Sequence, residues 1–156
     1  MNLSDDFISQ LQNLMQQVQT LLPPTPASID WQQTLACRWR TVGKQSYLEA
    51  IDDLSPICLN DLQGITRQKS EIRRNTAQFV HKLPANNVLL TGARGTGKSS
   101  LVKALVNEFK ADGLRVIEVD RDLLIDLSDI IKQIAHCPQR FIIYCDDLSF
   151  TADDAS

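Results

Sequence analysis

At 156 residues, 43% hydrophobic and 22% charged, the chain can bury one core and has the composition of an ordinary globular domain. A net charge of -3 and a pI near 5.3 exclude a global basic footprint for nucleic acid, though not a local patch. No apolar run reaches membrane-spanning length, and the N-terminus, acidic at Asp5 and Asp6, lacks the basic flank of a secretory signal, so a cytoplasmic protein without a membrane partner is expected.

In residues 4–22, Phe7, Ile8, Leu11, Leu14, Met15, Val18, Leu21 and Leu22 recur at spacings of three and four among Gln-rich positions, which predicts an amphipathic helix. Its apolar stripe is expected to pack either on this chain or on a partner. Pro23, Pro24 and Pro26 end it and open a linker over 23–28. Trp31, Arg38, Trp39 and Arg40 then admit two readings: a stacking and phosphate-contacting surface for single strands, or tryptophans packed in an accessory layer, which is preferred. Tyr47 to Leu54 reads as a short helix, so 1–54 is expected to be a helical accessory region and 55–156 the core. A helix from about Thr66 to Lys82 follows.

Asn87 to Leu105, N-V-L-L-T-G-A-R-G-T-G-K-S-S-L-V-K-A-L, dominates the chain. Gly92, Ala93, Arg94, Gly95, Thr96, Gly97, Lys98 and Ser99 match the phosphate-binding P-loop in full (Walker A, 92–99). Val88 to Leu90 read as the strand before it. Leu101, Val102, Leu105, Val106 and Phe109 fall on one helical face after it. The chemistry explains the residue types: Gly92, Gly95 and Gly97 let backbone N–H groups approach a triphosphate closely. The helix start at Lys98, Ser99 and Ser100 adds unpaired N–H groups and a positive dipole end. Lys98 is placed to reach the β and γ phosphates and Ser99 to ligate Mg²⁺.

Asp112-Gly113 stops that helix. Arg115 to Val119 reads as a strand, and Asp129 to Ala135 as a helix capped by Ser128 or Asp126. Phe141 to Cys145 is an apolar strand ending in Asp146-Asp147, the Walker B arrangement (141–147), with Asp146 expected in the Mg²⁺ shell. Cys37, Cys58, Cys137 and Cys145 lack metal-ligand spacing and read as packing or incidental thiols, with Cys145 expected to be the most buried.

The stretches R-N-T-A-Q-F-V (Arg74 to Val80), Leu83 to Leu105 and C-D-D-L-S-F (Cys145 to Phe150) are similar to an uncharacterised bacterial AAA+ ATP-binding family, domain of unknown function 815, from about Tyr47 to the last residue. The resemblance implies an α/β fold with a parallel P-loop sheet, truncated here after the Walker B strand and preceded by an α-helical extension. It implies ATP and Mg²⁺ as ligands, Leu62, Gly64 and Ile65 around the adenine, and Asp147, one methylene shorter than the usual glutamate, orienting the attacking water beside catalytic Lys98. Members continue into a sensor strand, an arginine finger and a lid, so this chain resembles a fragment with little or no turnover and poor stability alone. A homo-oligomer that couples ATP hydrolysis to remodelling of a protein or nucleic-acid partner is the expected full-length function. The alternatives are a nucleotide-responsive interaction module without hydrolysis and, with no acceptor pocket or lid evident, a small-molecule kinase.

Overall fold

The computed structural model describes residues 5–21 and 28–146. Helix α1 spans Asp5–Leu21, as its periodicity predicts, and Phe7, Ile8, Leu11, Leu14 and Met15 on it are exposed. Two strands follow, β1 (Ala36–Val42) and β2 (Gln45–Ala50), paired antiparallel with Val42 opposite Gln45. The short helix expected at Tyr47 to Leu54 is therefore corrected: its first four residues lie in β2. Gly43, at φ 63°, supplies the positive φ that a two-residue hairpin loop of the II′ kind needs at its first position.

Helices α2 (Thr66–Val80) and α3 (Lys98–Phe109) precede β3 (Leu114–Glu118), and α4 (Leu127–Ile134) precedes β4 (Arg140–Tyr144). The sheet order is β2-β1-β3-β4, with β1, β3 and β4 parallel. The expected parallel sheet core is present in β1, β3 and β4, but the sheet is mixed, because the α-helical N-terminal extension expected before it is in part the β1–β2 hairpin, which adds an antiparallel edge. Among the described residues no helix is long and apolar enough to cross a membrane.

Strand alternation sends side chains to two cores. On one face Ala36, Leu114 and Val116 pack with Leu101, Leu105 and Phe109 of α3 and Ile72 and Val80 of α2. On the other, Cys37, Trp39, Ile117 and Val119 pack with Trp31 and with Ile130 of α4. Trp39 is fully buried, and Trp31 meets Phe141 edge to face at 4.7 Å. Arg38 pairs with Glu118 and Arg40 with Glu49. These residues are core and ion pairs, so the packing reading holds and the single-strand stacking surface does not form. The Asp126 carboxylate, expected to cap α4, instead accepts the Trp39 indole N–H at 3.0 Å.

The buried thiol is Cys37, whereas Cys145 is only half-buried, which corrects the expected order. A central strand between two neighbours is covered on both faces; the end of an edge strand is not. Burial pushes the Cys37 thiol from its ordinary 9.0 to about 12. The unfolded chain loses this proton near pH 9 and the folded chain keeps it, so stability falls as pH rises across that window. The urea midpoint is expected to drop between about pH 8 and about pH 10, and Cys37→Ala to shrink the drop. An identical drop in the variant would refute the assignment.

Arg115 is 5% exposed and has no carboxylate partner among the described residues; burial lowers its pKa. Its guanidinium donates to the carbonyls of Trp31 (2.8 Å), Leu114 (2.8 Å) and Lys110 (3.1 Å), tying the entering chain to the start of β3. Removing it takes a short bond from each of these carbonyls. That of Lys110 keeps the Gly113 N–H at 3.2 Å and that of Trp31 only a long bond of 3.5 Å from Gln139 Nε2. A buried acceptor left short costs roughly 1–3 kcal/mol. Arg115→Ala is therefore expected to lose about 3 kcal/mol by urea denaturation, and a loss below about 1 kcal/mol would show that water replaces the donor.

One element departs from expectation beside the phosphate loop. Val88 to Leu90 form no strand; Val88 is 49% and Leu89 72% exposed, and only Leu90 packs on the α3 core. Asn75 fixes the approach, donating from Nδ2 to the Asn86 carbonyl at 2.8 Å and accepting the Asn86 N–H at 2.9 Å. A strand exists only with a neighbour to share its ladder, and among the described residues β4 ends the sheet on that side.

Candidate functional site

The loop Gly92 to Gly97 turns directly into α3. Gly97 sits at the helix N-cap with φ 86°, a left-handed conformation that favours glycine. At Gly92, φ 146°, a Cβ would lie 3.1 Å from Thr96 Oγ1, which itself donates to the Ala93 carbonyl at 2.8 Å. The first helical bond runs from Leu101 N–H to the Gly97 carbonyl at 2.8 Å. The N–H groups of Lys98, Ser99 and Ser100 thus precede any intrahelical donor, and they converge with the helix dipole on the space the loop encloses.

Lys98 reaches back over that space. Its ammonium donates to the carbonyls of Gly92 and Ala93, each at 3.0 Å. Among the described residues it has no carboxylate partner there, so an anion entering the loop meets a cation held by neutral dipoles. Gly92 to Thr96, Arg94 at the tip included, are exposed, while Gly97 to Ser100 are half-buried.

Strand β4 delivers the second part. Ladder bonding continues past it, with Val119 N–H donating to the Tyr144 carbonyl at 2.9 Å. The period of two puts Ile142 and Tyr144 on the α3 side and Phe141 and Ile143 on the α4 side. Beyond the strand, Asp146 Oδ2 accepts the Ser99 hydroxyl at 2.7 Å. Tyr144 donates its own hydroxyl to Ser99 Oγ at 3.2 Å. Burial, reinforced by the Asp146 carboxylate and opposed by the Ser99 bond, pushes the Tyr144 phenol up to about 12. It stays a neutral donor at physiological pH. Tyr144 was not singled out in the sequence, although period-two spacing from Asp146 is the signal that would have found it.

Ser99 and Asp146 are separated by three elements in sequence and meet because α3 packs on the face of the sheet to which Ile142 and Tyr144 of β4 point. Hydroxyl and carboxylate oxygens are the donors a hard divalent cation takes, and their proximity fits Mg²⁺. A triphosphate fits the cradle of unpaired N–H groups and the Lys98 ammonium beside it.

Of the expected base-contacting residues, Leu62 comes nearest: its Cδ2 lies 4.0 Å from where a Gly97 Cβ would be. Lys69 holds it there, donating Nζ to the Leu62 carbonyl at 2.7 Å and the Leu59 carbonyl at 2.9 Å. Ile65 packs on the α3 core, and Gly64, at φ 74°, has nothing within 4 Å of its Cβ position. Asp147 lies outside the described residues.

Comparison with known proteins adds three findings. Residues 32–156 match the family described as Protein of unknown function (DUF815). An AAA-ATPase of Arabidopsis thaliana is 34% identical over 104 residues, covering 65% of this chain and 19% of the plant protein, so the chain spans about a fifth of that relative's length. No solved structure matches.

Proposed function

The chain belongs to the DUF815 family, and on that premise we propose that it is the nucleotide-binding part of an AAA+ type ATPase, taking ATP with Mg²⁺ in the loop Gly92 to Ser99. The observation that carries the reading is the 2.7 Å bond between Ser99 Oγ and Asp146 Oδ2 beside the Lys98 ammonium. A P-loop pattern can occur as a bare turn; a serine in that loop bonded to an acid at the end of a parallel strand supports the reading of a metal site.

In this reading Lys98 and the first-turn N–H groups hold the phosphates, and Ser99 and Asp146 ligate the metal. Tyr144 orients the Ser99 hydroxyl. Leu62, Gly64 and Ile65 border the base, and Asp147 positions water for hydrolysis. Bound Mg²⁺ supplies charge neutralisation at the phosphates. Residues 55–156 carry all these groups; the expected division at residue 54 gives way to a single core, because β1 and β2 belong to the same sheet as β3 and β4. Hydrolysis, homo-oligomer assembly, and remodelling of a protein or nucleic-acid partner belong to the full-length function.

The exposed stripe of α1 favours a second reading, a nucleotide-responsive interaction module that does not hydrolyse. Steady phosphate release by the full-length protein would eliminate it. Binding itself is tested with a fluorescent ATP analogue titrated into the full chain, with circular dichroism as folding control. Saturable binding, competed by ATP and weakened by EDTA, is expected. A folded chain that binds no nucleotide would sink the proposal.

A further inference from the structure

A cavity of about 590 Å³ opens between α2, α3 and the segment from Pro56 to Asn60. Its volume lies within the range of about 300–1,000 Å³ typical of small-molecule sites. None of its lining residues belongs to the phosphate loop or to the Leu62, Gly64, Ile65 group. We propose that it binds a small ligand bearing a carboxylate or phosphate head group, independently of the nucleotide.

The walls are held before any ligand arrives. Asn107 Nδ2 donates to the carbonyls of Ser55 and Ile57, both at 2.9 Å, fixing the crossing segment on α3. Lys69 fixes the next turn through the Leu59 and Leu62 carbonyls. Arg73 on α2 pairs through Nε with Glu108 on α3. The floor is Ala104, fully buried and too small to fill the space above it.

The groups left over share one chemistry. Among the described lining residues Glu108 is the one carboxylate and is already engaged by Arg73, whereas Lys69, Arg73 and Lys110 all bring positive charge. The Lys110 ammonium, the Ser70 hydroxyl, the Asn60 side-chain amide and the terminal nitrogens of Arg73 take no protein partner among the described residues, Arg73 meeting Glu108 through Nε. Two cations and two neutral hydrogen-bonding groups around one space complement an oxyanion. They would leave a cationic ligand uncompensated.

Cys58, exposed and lining the same cavity, is a built-in reporter. The full chain is alkylated with neutral iodoacetamide and Cys58 modification is followed by peptide mass spectrometry. Citrate or inorganic phosphate is the probe, with ionic strength held constant by KCl. Protection of about tenfold is expected at about ten times the probe's dissociation constant. Whichever probe protects identifies the head group. Protection is expected to survive Lys98→Ala, which disables the phosphate loop, and to vanish in Arg73→Gln/Lys110→Gln and in Ser70→Glu. These last three residues are exposed, so the fold is retained. The proposal is overturned if neither probe protects, if Lys98→Ala abolishes protection, or if protection persists in either cavity variant.

Discussion

Lys98→Ala is expected to lower the affinity for Mg-ATP by about 10- to 100-fold, on the order of the 1.5–3 kcal/mol carried by a hydrogen bond to a charged group. The two bonds its ammonium makes, to the Gly92 and Ala93 carbonyls, are between a cation and neutral acceptors. A phosphate oxygen is a stronger acceptor, so the ammonium's largest contribution comes with nucleotide bound. Those carbonyls belong to exposed residues and can turn to water when the ammonium is removed. The fold therefore tolerates the substitution, with a change of roughly 0.5 kcal/mol or less in urea denaturation. Isothermal calorimetry separates this effect from that of the metal pair. Asp146→Asn is expected to erase the gain in affinity that Mg²⁺ brings while sparing metal-free binding. Equal affinities for the wild type and Lys98→Ala would mean that the phosphates sit elsewhere.

Trp39→Ala is expected to unfold the protein. Truncating a fully buried tryptophan costs about 3–5 kcal/mol, against a total stability of roughly 5–15 kcal/mol for a domain. Here the substitution also strips the half-buried Asp126 carboxylate of the indole N–H at 3.0 Å. The edge of β4, without a further strand among the described residues, and the exposed Val88 and Leu89 leave little reserve to absorb the loss. Trp39→Phe isolates the polar part: it keeps an aromatic ring in the core and removes the donor, at a cost of about 1.5–3 kcal/mol. Combining it with Asp126→Ala is expected to cost less than the sum, because both remove one bond. Full additivity in that cycle, or a Trp39→Ala variant as stable as the wild type, would refute this account.

The elements that sequence located well are those whose determinants are local. The P-loop helix shows itself in a glycine-bounded start and one apolar face, and α3 begins at Lys98 as read. Strands β3 and β4 are short apolar runs ending at turn residues and fall within a residue of expectation. Gln45–Ala50 went the other way, because Leu48, Glu49 and Ala50 are good helix formers. Strand β2 arises from its pairing with β1, a contact propensity does not contain. The glycine at the head of the Gly43-Lys44 loop was the available hairpin signal. Val88 to Leu90 illustrate the reverse: an apolar Val-Leu-Leu run without a neighbour makes no strand.

The residue types and spacing from Gly92 to Ser99, the acid pair after the last apolar run, and the alternation that buries one side of each helix were determined by sequence alone, since each depends on a backbone period of a few residues. Tertiary structure decided what came together across the chain. It set Ser99 against Asp146, closed Trp39 over Asp126, seated Leu62 on Gly97, and chose Cys37 over Cys145 for burial. Those outcomes follow from sheet order, and sheet order is settled by which faces can be covered at once, a property of the packed molecule and of no single segment.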